Sequence, residues 1–265
     1  MYPYELFWGI DIYSICLLLG VISSFVIFRI FADRRGFSAK MQNLVLFDAF
    51  ASVVAGYLGA VLFQAVFSYI GNPEGGFKIT GATFMGGLIA GVAVFFIIYF
   101  TAGHFLFKNV EKEHLTKIWE LVSIGAPAIA CAHGIGRIGC FFAGCCYGVE
   151  TDSFFGVTFV GHEVKRLPVQ LFESAFLLLL FAVLTFMFFK TKYSLLTMPV
   201  YMISYGIWRY LAEEFLRGDE ARGGKIFGVF WPSQFTSLIL LAGGIGLGIF
   251  LIKRFYGKEK KSVDE

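Results

Sequence analysis

Apolar runs of about 20 residues, the length that crosses a bilayer, recur near residues 10–31, 43–70, 82–103, 118–135, 169–189, 194–216 and 232–252. The pattern predicts an all-α, polytopic membrane protein with seven transmembrane helices. Two of the runs are interrupted in ways that matter. The fourth contains Pro127 and ends in a glycine-rich stretch, which makes it the weakest span. The sixth carries Arg209, Glu213 and Glu214 near its end, so it is expected to emerge into a polar site.

Polar positions then set the orientation, because Lys and Arg are retained on the cytoplasmic side of short loops. Arg29, Arg34, Arg35 and Lys40 follow the first run, Lys108, Lys112 and Lys117 the third, and Lys190 and Lys192 the fifth. The tail adds Lys253, Arg254, Lys258, Lys260 and Lys261. The opposite side is poorer in basic residues, so the N-terminus is expected outside and the C-terminus in the cytoplasm. Met1–Gly9 lacks the basic start of a cleavable signal peptide, and the first run is read as an uncleaved helix. At 57% hydrophobic and 15% charged residues, the chain is expected to form one integral-membrane domain over residues 1–265. The net charge of +3 follows from topology, and no basic tract points to nucleic acid. All chemistry must then come from helix ends and short external loops.

The richest such stretch is HGIGRIGCFFAGCCYG, from His133 to Gly148. Glycine is permissive where backbone bends or approaches a ligand closely, and an arginine at membrane depth is expensive unless it faces protein, a polar cavity or the interface. Two readings stand side by side: a glycine-packed helix hairpin with Arg137 snorkelling to a headgroup, or a phosphate-binding active site with Arg137 in a glycine-lined turn. Arg209 and Glu213, four apart, share a helix face, either as a structural ion pair or with Glu213 orienting a functional guanidinium. Arg217 lies two turns further on, beside the outer loop. Gln170 and Glu173 share a face at the start of the fifth run, where Glu173 can orient Arg137 or merely solubilise a helix end. His133, four residues before Arg137, is either a general base or a hydrogen-bonded structural residue.

Of the cysteines, Cys16 is read as packing, while Cys131, Cys140, Cys145 and Cys146 gather with His133 toward the outer face. A metal set from Cys140, Cys145, Cys146 and His133 is conceivable, but C-x4-C-C is not one of the strong zinc spacings. A disulfide is open as well. Buried thiols acting as small hydrophobes are the leading expectation, with no metal and no cofactor.

At this stretch the chain resembles the prolipoprotein diacylglyceryl transferase family. The resemblance extends to IDIYSICLLLG with Tyr13, TFMGGLIAG from Thr83 to Gly91, GRIG at Gly136–Gly139, LPVQLFE at Leu167–Glu173, RYLAEEFLRGD at Arg209–Asp219, and WPSQFTS at Trp231–Ser237. There are departures. Met85 stands where the family has a histidine, Cys140 follows Gly139 where its asparagine is absent, and Cys145 stands where a glutamate is usual. Leu167 and Phe172 replace the histidine and tyrosine of H-P-x-Q-x-Y-E. Arg209 and Glu213 meet the first half of R-x-x-x-E-F-x-R, whereas Glu214 and Arg217 meet the second half one residue out of step.

The resemblance implies a multi-pass enzyme of the bacterial cytoplasmic (inner) membrane. It would move diacylglycerol from phosphatidylglycerol to the lipobox cysteine of a prolipoprotein signal peptide and release glycerol phosphate. The resemblance implies Arg137 and Arg209 as catalytic residues, and His133, four residues before Arg137, is read as the base where Met85 cannot serve. For substrate binding it implies Arg137, Gly136, Gly139, Gly148, Tyr13, Glu173, Gln170, Glu213 and Arg217. A thiolate is the competent nucleophile for such a step, and planar arginine suits the departing phosphate. The alternatives are a non-catalytic phospholipid-binding paralogue and a related transferase with another acceptor. Because the intramembrane charges gather at one face rather than along a path, the pattern argues against a transporter.

Overall fold

The computed structural model describes residues 4–71, 73, 76–79, 81, 83–108, 112–217 and 228–257. Its helices are α1 (Ile12–Arg34), α2 (Ala39–Gly71), α3 (Phe84–Leu106), the single turn α4 (Glu113–Thr116), α5 (Ile118–Phe142), α6 (Val169–Lys190), α7 (Thr197–Phe215) and α8 (Pro232–Leu251). A two-stranded antiparallel hairpin, β1 (Val157–Thr158) and β2 (Lys165–Arg166), lies between α5 and α6, with Val157 opposite Arg166. Among the described residues six helices are long and apolar enough to cross a membrane, and the protein is an all-α polytopic membrane protein. The sixth predicted run is helical as α7 but is not among those six. Asp219 lies outside the described residues, as does the side chain of Met85.

The chain divides into two compact units. In residues 32–119, α2 and α3 pack backbone to backbone. A Cβ at Gly87 would lie 3.1 Å from the Gly56 carbonyl oxygen, one at Gly91 3.1 Å from that of Ser52, and one at Gly59 would collide with Ala90. The glycines of TFMGGLIAG therefore serve close helix approach, and Thr83 caps α3 by accepting from the Gly86 N–H at 3.3 Å. Beneath α3, His114 is buried, with its carbonyl accepting from the Tyr99 hydroxyl at 2.6 Å.

The other unit comprises residues 1–31 and 120–265. The sequence ends the fourth span near residue 135 and treats the following glycines as a bend or turn. The structure corrects this: α5 is continuous to Phe142, so GIGRIGCFF is helix. Close packing explains it. A Cβ at Gly134 would lie 3.0 Å from Leu178 of α6, and one at Gly139 2.9 Å from Cys16 and 3.2 Å from the Tyr13 ring of α1. The lost entropy of helical glycine is exchanged for short interhelical distances.

Pro127 sits inside the same helix and cannot donate to the Ser123 carbonyl one turn back. The hydroxyl of Thr197, fully buried at the start of α7, donates to that carbonyl at 2.7 Å instead. Below this point Ala126, Ala130, Leu177, Leu180, Leu184 and Tyr201 form an apolar core joining α5, α6 and α7. α8 packs on α7 through Gly206 and Gly244, where added Cβ atoms would lie 3.1 Å from the Ser237 carbonyl and 2.9 Å from Met202.

Candidate functional site

Backbone hydrogen bonds bring three segments to one end of α5. The Gly148 N–H donates to the Leu167 carbonyl at 2.8 Å, that of Val149 to the Leu216 carbonyl at 3.0 Å, and that of Leu167 to the Val149 carbonyl at 3.0 Å. The loop after α5 is thereby tied both to the residues before α6 and to the end of α7. Gly148 is buried at this junction, where a Cβ would collide with the Leu216 carbonyl, so no larger residue fits. The Gln170 amide donates to the Cys145 carbonyl, and an Arg217 guanidinium N–H donates to that of Cys146 at 3.2 Å. Arg166 closes the hairpin side, 2.9 Å from Glu150 and over the Tyr147 ring.

At the centre is Glu173, whose side chain is only 2% exposed. Its Oε1 lies 3.0 Å from Arg137 Nη2, accepts from the Tyr205 hydroxyl at 2.8 Å, and is 3.8 Å from His133 Nε2. Its Oε2 is 3.9 Å from Arg209 Nη1. Arg209 Nη2 in turn pairs with Glu213 at 3.1 Å, and Glu213 reaches Arg217 at 3.6 Å. The structure thus brings together Arg137, His133, Glu173, Arg209, Glu213 and Arg217 from α5, α6 and the α7 end. His133 also packs edge-on against the Tyr205 ring, with centroids 5.0 Å apart.

Among the described residues three guanidinium groups face two carboxylates, which leaves one positive charge over. Two donors of those guanidinium groups, Arg137 Nε and Arg209 Nη1, are buried and have no hydrogen-bond partner among the described residues. A buried donor without an acceptor is costly. Among the described residues, the surplus guanidinium and the donors without acceptors suit an anionic group with several oxygens, such as a phosphate, more than they suit a neutral ligand.

Around this centre stand the remaining sequence candidates. Tyr13 is half-buried on α1, within electrostatic range of Arg137 and of Cys140, Cys145 and Cys146. Gly139 is the contact of α5 with α1, whereas Gly136 has open space, its nearest neighbour being Leu17 at 4.0 Å from an added Cβ. Glu214 stands apart from the arginines and accepts from Gln234 of α8 at 2.8 Å. The out-of-step second half of the R-x-x-x-E-F-x-R pattern thus has a physical meaning: among the described residues it is Glu213 that bridges Arg209 and Arg217.

The cysteines depart from the expectation of buried thiols. Cys16 and Cys131 are buried as expected, but Cys140 is only partly buried and Cys145 and Cys146 are exposed; all five are free, and the sulfurs of Cys140, Cys145 and Cys146 lie within 4.8 Å of one another. The four-ligand set that adds His133 to these thiols is not formed among the described residues. Hydrogen bonds from Cys140 and Cys145 draw the Cys146 thiol below the ordinary thiol range, and Arg217 and Arg137 add to the effect.

Sequence reasoning missed Tyr205, the neutral donor to Glu173. A signal was present: Tyr201, Tyr205, Arg209, Glu213 and Arg217 recur every fourth residue, a polar stripe along one side of α7.

Residues 4–250 match the family model for prolipoprotein diacylglyceryl transferase. The chain belongs to the prolipoprotein diacylglyceryl transferase family. Relatives in this family include the phosphatidylglycerol–prolipoprotein diacylglyceryl transferase 2 of Clostridium perfringens, 32% identical, with 95% of this chain and 95% of that protein covered. The enzyme of the same name from Geobacter sulfurreducens is 29% identical, with 92% of each covered, and that of Francisella tularensis subsp. novicida is 28% identical, with 95% and 92% covered. The matched span contains every residue of the arginine–glutamate cluster, so this diacylglyceryl transferase relative holds its polar centre within the shared part of the chain.

Proposed function

We propose that this protein transfers the diacylglyceryl group of phosphatidylglycerol to the lipobox cysteine thiol of prolipoproteins and releases glycerol phosphate. The observation that carries the reading is the pair of buried donors on Arg137 and Arg209 that have no hydrogen-bond partner among the described residues, with Glu173 beside both arginines. The phosphodiester of phosphatidylglycerol supplies the missing acceptors and one negative charge. The acceptor thiolate attacks the glycerol carbon, the carbon–oxygen bond to phosphate breaks, and the electron pair leaves on the phosphate oxygen. Arg137 and Arg209 stabilise that departing charge, and His133 takes the proton of the thiol. Arg217, Gln170 and Tyr13 border the site and position headgroup and peptide. The open face at Gly136 accommodates apolar chain, while Gly139 and Gly148 hold the backbone around it.

The same reading places α7 as a seventh crossing, the N-terminus outside, the C-terminus in the cytoplasm, and the chain in the bacterial inner membrane. The basic residues after α1, α3 and α6 support that orientation. Purified protein in micelles containing phosphatidylglycerol should release glycerol phosphate with a lipobox peptide and none when serine replaces the peptide's cysteine. A protein that binds the lipid and leaves it intact would be a phospholipid-binding paralogue and would end the transferase reading. A C-terminal reporter that reads as external would overturn the topology.

A further inference from the structure

The three thiols beside the arginines have no part in the reaction as drawn so far. Cys140 lies in the last turn of α5, and Cys145 and Cys146 follow in the loop, where the Cys145 N–H donates to the Cys140 carbonyl at 3.2 Å and folds the chain back on itself. Gly144 and Cys146 both hold positive φ, +69° and +62°. For a cysteine that left-handed backbone costs on the order of 1 kcal/mol and persists only where the surroundings impose it. Here the Arg217 bond to the Cys146 carbonyl and the Gln170 bond to that of Cys145 impose it. The turn is thus held in a strained form that keeps three sulfurs on one another.

Sulfurs bound to one zinc ion at about 2.3 Å lie roughly 3.8 Å apart. The three here lie within 4.8 Å, about 1 Å from that spacing. An odd number of thiols suits a metal better than a disulfide, which would leave one sulfur over. Three thiolates around a divalent ion carry a single negative charge, and Arg217 and Arg137 stand beside them to balance it.

We propose that Cys140, Cys145 and Cys146 bind a zinc ion as three thiolates, leaving its fourth position for the thiol of the acceptor peptide. The second half rests on the transferase reading. Three protein ligands with one exchangeable position is the arrangement of a reactive zinc site, and zinc lowers the pKa of what binds there. The three cysteines release their protons as the ion binds. The acceptor thiol then gives its proton to His133, its sulfur lone pair forms the new bond to the glycerol carbon, and the carbon–oxygen pair leaves with glycerol phosphate.

The test uses the full chain purified reduced and without oxygen, with zinc measured per protein. One equivalent is expected in wild type and in Cys131→Ser, whose sulfur lies outside the cluster, with loss in Cys140→Ser and Cys145→Ser. Cobalt loaded in place of zinc should show thiolate-to-metal charge-transfer absorption that changes when the lipobox peptide is added, but not with its serine analogue. Wild type without metal, with its thiols free or paired as a disulfide, overturns the site. Bound cobalt whose spectrum ignores the peptide, in protein that still releases glycerol phosphate, overturns the role of the fourth position. Bound zinc in protein that never releases glycerol phosphate leaves the site standing and instead overturns the transferase reading and the role built on it.

Discussion

Glu173→Gln is the most informative single change, because among the described residues this carboxylate alone touches Arg137, Tyr205 and His133 at once and approaches Arg209. The amide keeps the shape and removes the charge. Arg137 Nη2 at 3.0 Å loses its ionic acceptor, and two guanidinium groups are left to repel one another. Breaking one side of a buried ion pair costs about 3–5 kcal/mol, and the lower figure fits a partner that is still 16% exposed. With about 1.4 kcal/mol per factor of ten, a loss of about 3 kcal/mol in the transition state predicts a fall of roughly 100-fold in kcat/KM. Tyr205→Phe removes a hydroxyl bond to a charged acceptor, about 1.5 kcal/mol, and should cost about tenfold. Because both changes act on Oε1, the double variant should fall short of the product of the two. The assay is glycerol phosphate release from phosphatidylglycerol with a lipobox peptide, with thermal stability recorded in parallel. A stable Glu173→Gln protein within about twofold of wild type would refute the idea that Glu173 organises the site.

Thr197→Val strands the Ser123 carbonyl that Pro127 cannot serve, and should lower stability in detergent by about 1–3 kcal/mol with kcat/KM changed little. Gly139→Ala sets a Cβ 2.9 Å from Cys16; overpacking costs about 1–3 kcal/mol and should show as a lower melting temperature together with lower activity. Burial, with His104 and Lys112 nearby, holds His114 below its ordinary 6.5, so the unfolded chain takes up its proton first. Its contribution to stability is therefore complete above about pH 6.5 and lost as pH falls from there through the folded value. Melting curves across that window should slope less in His114→Gln than in wild type.

The membrane class and most helix positions are legible because a span needs only length and apolarity, and those survive in any order of Leu, Ile, Val and Phe. Helix α5 was shortened in the reading because glycine and proline signal a break in isolation, whereas in the protein Gly134 and Gly139 are filled by neighbouring helices and Thr197 serves the carbonyl that Pro127 leaves. Helix α7 fails a test of apolarity for the reason that makes it informative: it carries Arg209, Glu213 and Glu214. The Arg209–Glu213 pair follows from helical spacing alone. The Glu173–Arg137 pair joins residues on different helices, and spacing along one element cannot reveal which of two carboxylates a guanidinium will meet. Tyr205 was passed over because an aromatic in an apolar run reads as core until its hydroxyl is seen to have a carboxylate partner.

In the proposed reaction Arg137, held by Glu173, carries the phosphate through the transfer. Glycerol phosphate release by wild type and Arg137→Ala, in the same phosphatidylglycerol micelles with the same lipobox peptide, tests it most directly. Wild type is expected to release glycerol phosphate only with the peptide thiol present, and a folded Arg137→Ala protein none above background. Near-normal release from Arg137→Ala would contradict it.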